Sequence, residues 1–234
     1  MNFTMKQVLY VFLICSTFML TKVSALEIKS AHPRLIDATS LKKIQAKQKT
    51  MGLLVKKANY YLGEKEDNIV NQKSKEREFI RLYAFLYSAK KEDKYFKKAK
   101  KLIEALRNAP ETKDDQQIRT RLQSYAYYYD LCFDKLDETE KKIIQEQILK
   151  HIQWLDDKKY LRINNFGGGH HFYANISAII GCIAIYYEEP STRETFQIIE
   201  KNLKEGFIPF YRYLSCEDGG FHMWWEYSRY YISW

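Results

Sequence analysis

The spacing of apolar residues narrows the choice of fold more than any other feature. From about residue 40 to residue 204 they return every three or four positions, and strand-like alternation is nearly absent. Ile144, Ile148, Ile152 and Leu155 form the clearest stripe. Ahead of them, Asp137-Glu138-Thr139-Glu140 has the pattern of a capping box. Phe79, Leu82, Tyr83, Leu86 and Tyr87 predict a helix over Lys75 to Ala89, and Phe96, Ala99, Ile103 and Leu106 one over Asp93 to Arg107. A helix capped by Ser40 is expected from Leu41 to Leu62, and a tyrosine-rich one from Ile118 to Phe133. Ala174 to Tyr187 is apolar almost all round, which predicts a buried helix, and Thr192 to Lys204 predicts another. Short polar turns between such segments imply antiparallel helix pairs in an all-α chain. The pairs can close into a bundle, a solenoid or a toroid, and the lack of a fixed repeat disfavours a regular solenoid.

The first 25 residues read as a signal peptide. Lys6 supplies the positive start, Val8 to Leu20 is an apolar run too short to span a bilayer comfortably, and Val23-Ser24-Ala25 is a small-residue cleavage site. Cys15 lies inside the apolar run and not at the cleavage point, so a lipid anchor is not expected. An uncleaved signal anchor is the alternative, because Lys22 lies unusually near the site. The expected location is secreted or periplasmic, with no stable membrane association after cleavage. Residues 26–234 then form a single domain.

The whole chain carries 38 Lys and Arg against 29 Asp and Glu. Setting aside Lys6 and Lys22 leaves 36 basic residues, a net charge of +7. That excess suits an anionic partner, although most of the lysines read as solvated helix faces. No basic patch with a known docking motif points to nucleic acid. Cys132, Cys182 and Cys216 are too few, and odd in number, for a disulfide framework.

Two stretches interrupt the helical pattern. The first, Asn164-Asn165-Phe166-Gly167-Gly168-Gly169-His170-His171, sets a glycine-rich loop with amides and imidazoles before a buried helix. It reads as an anion site at a helix N-terminus, or as a tight turn with two surface histidines. The second runs from Cys216 to Tyr231 and holds Asp218, His222, Trp224, Trp225, Glu226, Tyr227 and Arg229 behind a Gly-Gly turn. An aromatic stripe at helical spacing also suits a core, but its charged residues would be costly to bury unpaired.

Three chemistries suit these residues. A metal site from His170, His171 and His222 lacks supporting ligand spacing, so no metal is expected. Asp218 and Glu226 supply the two carboxylates of a glycosidase. β-Elimination on a uronic acid needs a group to neutralise the sugar carboxylate, a base for the C5 proton and an acid for the leaving oxygen. Asn, His and Arg suit the first task, and Tyr or His the others.

The order of motifs resembles the N-terminal helical part of heparinase II/III-type polysaccharide lyases and related alginate lyases. The likeness begins at His32-Pro33-Arg34-Leu35 and continues through Tyr128-Tyr129-Asp130-Leu131-Cys132-Phe133-Asp134-Lys135-Leu136. It passes the Gly-His loop and Ile183-Ala184-Ile185-Tyr186, and ends in Asp218-Gly219-Gly220 and Tyr227-Ser228-Arg229-Tyr230. The resemblance implies an α/α toroid followed by a β-sandwich, with the cleft between them. It implies Tyr227 as the proton donor, and often also the base. His171 or His170 would take the proton or help neutralise the carboxylate. Arg229, Asn164, Asn165, His222, Trp224, Trp225 and Glu226 would contact substrate. Where the family often has an Asn-His pair, this chain has His170-His171.

On this likeness the chain is expected to be the front part of an exported lyase, C-terminally incomplete, needing no cofactor and acting on an acidic polysaccharide that contains uronic acid, sulfated ones included. A non-catalytic glycan-binding remnant and a toroid hydrolase using Asp218 and Glu226 are the alternatives.

Overall fold

A computed structural model describes residues 28–66, 75–161 and 169–209. Every described regular element is helical: α1 (Ala38–Ala46), α2 (Gln48–Tyr61), α3 (Lys75–Lys90), α4 (Asp93–Asn108), α5 (Asp115–Leu131), α6 (Glu138–Asp157), α7 (Gly169–Ala184) and α8 (Thr192–Lys201). A 3₁₀ turn over Phe133–Lys135 links α5 to α6, and a π-helical turn over Asn202–Phe207 extends α8.

The expected stripes decide the packing. α3 and α4 pair across the two-residue turn Lys91-Glu92, α5 pairs with α6, and α7 with α8. α3 also packs along α5, and α5 along α7, so alternate helices form a common layer with their partners beside it. α5 therefore has neighbours on most of its circumference and buries residues from Ile118 to Leu131. Tyr125, Tyr128 and Tyr129 belong to this core, and the last two have hydrogen-bonded hydroxyls. Tyr128 donates to Glu140 at 2.6 Å, and Tyr129 accepts from Gln145 at 2.7 Å. Where α5, α6 and α7 come closest there is Gly181. A Cβ built on it would lie 2.9 Å from Leu122 Cδ1 and 3.2 Å from Ile152 Cδ1. Across the same interface Gln123 donates to Ser177 at 2.8 Å.

Several local expectations are corrected. The predicted helix over Leu41 to Leu62 is split at Lys47, whose ψ of 75° leaves the helical region. Its two halves bury only Leu54 and Ala58, so little tertiary packing holds them as one rod. Asp37, not Ser40, is the cap, because its carboxylate accepts from both Thr39 N and Ser40 N at 2.9 Å. Asp137 caps α6 as expected, accepting from Glu140 N at 2.8 Å. The Glu140 side chain, however, is drawn to Tyr128 and to Lys100. α7 begins at Gly169, so His170 and His171 lie in its first turn and not in a loop before it. Nor is α7 buried all round: Ile176, Ile179 and Ile180 are half-buried.

Asn175, the acceptor position of an Asn-Ile-Ser glycosylation pattern, is buried. Its amide donates to the Tyr160 and His171 carbonyls at 3.0 and 2.8 Å. That amide is a strut of the fold, tying the start of α7 to the end of α6.

Candidate functional site

Of the residues singled out from sequence, His170 and His171 fall within the described structure. Asn164, Asn165, Asp218, His222, Trp224, Trp225, Glu226, Tyr227 and Arg229 lie outside the described residues, as does the leader over residues 1–25.

Consecutive residues on a helix diverge by about 100°, and the two imidazoles do opposite things. His170 is exposed, with 70% of its side chain open to solvent. Its Nδ1 lies 2.7 Å from Asp115 Oδ2, at the start of α5. The same oxygen accepts from Arg119 Nη2 at 2.8 Å, and Arg119 Nε donates to the Asp115 carbonyl at 3.1 Å. The Arg119 guanidinium also lies over the Tyr173 ring, 5.7 Å from its centroid. Burial opposes the Asp115 charge, but the bond from His170 and the field of Arg119 outweigh it and hold the carboxyl below its ordinary range. A carboxylate hydrogen-bonded at Nδ1 favours a proton on that nitrogen, so Nε2 is the one left to meet a solute.

His171 turns inward. It hydrogen-bonds the Tyr160 backbone, and burial lowers its pKa from the usual imidazole value. Its Nδ1 is buried with no hydrogen-bond partner among the described residues. His171 is thus a neutral imidazole under the first turn of α7, while His170 is the one placed to meet a solute.

Sequence reasoning missed Asp115 and Arg119. The only local signal was the acidic pair Asp114-Asp115 opening a helix, which reads as ordinary capping. Asp114 does fill that role, accepting from Gln117 N at 3.1 Å.

A second polar cluster joins three distant segments. His32 sits with Nδ1 2.5 Å from Asp130 Oδ1 and Nε2 3.3 Å from Glu188 Oε1. Asp130 also accepts from Arg34 N at 2.8 Å and from Leu35 N at 2.8 Å. Arg34 Nη1 donates to the Ala184 carbonyl at 3.0 Å and its Nη2 to Ser30 O at 2.8 Å. Beside this cluster is a cavity whose lining includes Pro33, Ser88, Lys91, Phe133 and Asp134. Its charged rim is internally paired, Lys91 Nζ lying 2.8 Å from Asp134 Oδ2.

Among the described residues no group of three or more His, Cys, Asp or Glu side chains converges as a metal site would require. Among them, too, no helix is long and apolar enough to cross a membrane. Cys132 and Cys182 are buried free thiols, both pushed up by burial, Cys182 to about 12. Compared with protein-family models and with curated proteins, the chain matches none at a significant level. Among the described residues, the fold and this pair of clusters define an all-α protein of layered helix pairs with a solvent-facing carboxylate–imidazole dyad.

Proposed function

We propose that the chain is the helical part of an exported polysaccharide lyase that cleaves uronic-acid-containing glycans by β-elimination, within an α/α toroid. The observation that carries the reading is the Asp115–His170 dyad, an exposed imidazole whose Nδ1 is tied to a carboxylate. Such an arrangement suits proton abstraction, because the carboxylate stabilises the imidazolium that forms when Nε2 takes a proton. In this reading His170 takes the C5 proton or neutralises the sugar carboxylate, and Tyr227 donates to the leaving oxygen. Asn164, Asn165, His222, Trp224, Trp225, Glu226 and Arg229 are proposed to contact the acidic substrate.

Two further observations support it. Alternate helices sharing a layer is the packing that a ring of helix pairs needs. The two motifs that begin the resemblance, His32-Pro33-Arg34-Leu35 and the segment around Asp130, also meet in space.

The test is incubation of the purified chain with a panel of polyuronates, sulfated and unsulfated. The expected product is an unsaturated uronate that absorbs in the ultraviolet, lost in Tyr227→Phe and His170→Ala. Saturated reducing ends that survive Tyr227→Phe would transfer the assignment to a hydrolase using Asp218 and Glu226. Salt-sensitive binding without any product would leave a glycan-binding protein.

A further inference from the structure

The cluster around His32 plays no part in the proposed chemistry, and its geometry carries a consequence of its own. Both ring nitrogens of His32 face carboxylate oxygens, Asp130 on one side and Glu188 on the other. A neutral imidazole has a single N–H and can donate to only one of them; the other nitrogen then presents a lone pair to a carboxylate. Only the imidazolium satisfies both. The Arg34 guanidinium adds one positive charge, paired with Glu188, so with both carboxylates ionised the cluster is balanced when His32 is charged and carries a net negative charge when it is not. The side chains of His32 and Asp130 are 7% and 0% exposed, so solvent does little to relieve that imbalance.

We propose that residues 28–36 are a protonation-gated strap, docked on the ends of α5 and α7 while His32 is charged and loosened when it becomes neutral.

Beyond this cluster the strap is held by the buried side chains of Ile28, Leu35 and Ile36 and by the Arg34 bonds to Glu188 and the Ala184 carbonyl, so neutralising His32 loosens it without releasing it. Asp130 accepts the Arg34 and Leu35 amides, and Tyr187 donates to the Ile28 carbonyl at 2.7 Å. The groups facing His32 are few. From α5 come Asp130 and the edge of Tyr129, whose ring centroid is 5.4 Å away. Tyr129 is pushed up to about 12 by burial and stays neutral. From the 3₁₀ turn comes Phe133, stacked on His32 at 3.8 Å, with Lys141 of α6 lying 4.2 Å over the same ring. After α7 comes Glu188, and from the strap itself Arg34. Lys91 and Asp134 pair with each other at the cavity rim. Burial by itself would lower the His32 pKa, but the bonds to Asp130 and Glu188 outweigh it and the net shift is upward. A raised histidine pKa favours the docked state below the ordinary imidazole pKa and loses that support as pH rises through the raised value. The strap is therefore an alkaline-release device. Arg34 keeps its pairing with Glu188 throughout, so the response is loosening and not dissociation of the whole segment.

The test is amide hydrogen exchange of the full chain, corrected for intrinsic rates, across the His32 titration followed by NMR of its ring nitrogens. The protection of the Arg34 and Leu35 amides is expected to fall severalfold as His32 loses its proton, while Leu122 in the core stays constant. In His32→Gln the same amides are expected to show no pH dependence over that range. Strap protection that is flat with pH in the native chain, or that falls equally in His32→Gln, overturns the proposal. So does a His32 that titrates at or below the usual imidazole value. This last measurement needs no variant, so a His32→Gln chain that fails to fold leaves the proposal open to refutation.

Discussion

Arg34 and Glu188, 154 positions apart, meet in a two-pronged ion pair, with Nη1 2.5 Å from Oε2 and Nη2 2.6 Å from Oε1. A planar guanidinium opposed to a carboxylate in this way fixes orientation as well as distance. The pair fastens the segment before α1 to the turn after α7. Arg34 spends its remaining donors on backbone carbonyls, including Ala184 at the end of α7.

The acid limb of stability should report this pair. Partial burial works against the Glu188 charge, yet the bonds from Arg34 and His32 bring its pKa down to about 2, against an ordinary 4.5. A depressed carboxylate pKa contributes stability above the unfolded value and loses it as pH falls toward the folded one. Glu188→Gln should therefore lower the melting temperature at neutral pH and flatten its decline between about pH 4.5 and pH 2. Parallel melting curves for the two proteins through that window would contradict the assignment.

Asp130→Asn should be among the most damaging conservative changes. The carboxylate is fully buried and accepts from His32 and from two backbone amides. Removing one partner from a buried charge cluster costs about 3 kcal/mol. The urea midpoint should shift accordingly, with strap amides exchanging faster than core amides.

Gly181→Val should destabilise the chain by about 1–3 kcal/mol through overpacking where α5, α6 and α7 converge. The contact atoms are methyl groups of Leu122, Ile148 and Ile152, all three residues being buried. A Leu122→Ala change in the same chain should recover part of the loss, which a thermal melt of the double variant would show.

For the proposed chemistry, His170→Ala should lower kcat on the best polyuronate by about a hundredfold. Asp115→Asn, which leaves the ring in place without its carboxylate, should cost about tenfold. Since Asp115 acts through His170, its loss should also move the pH–rate profile, and Asp115→Glu should restore part of it. Equal activity and an unmoved profile in Asp115→Asn would remove the dyad from the mechanism.

Helix content was legible because it is a local property. The stripe of Ile144, Ile148, Ile152 and Leu155 needs only the helical repeat to face one way, and all four are buried. Helix boundaries were less so. Asp37, three residues upstream, took the cap from Ser40 through a local side-chain contact, whereas the Glu140 carboxylate went to Tyr128 instead of closing a capping box because a tertiary neighbour competed for it. The dyad was out of reach: His170 stood out beside its glycines, but Asp115 is 55 positions away and looks like an ordinary first-turn acid.

By itself the sequence determined that the described chain is helical and which faces of each helix are apolar, since periodicity and capping act over a few residues. Tertiary structure alone decided which helices share a layer, which of two adjacent imidazoles meets solvent, and that His32 stands between two carboxylates. Those outcomes depend on charges and backbones brought together from some 50 to 150 positions apart, and no local pattern encodes such a meeting.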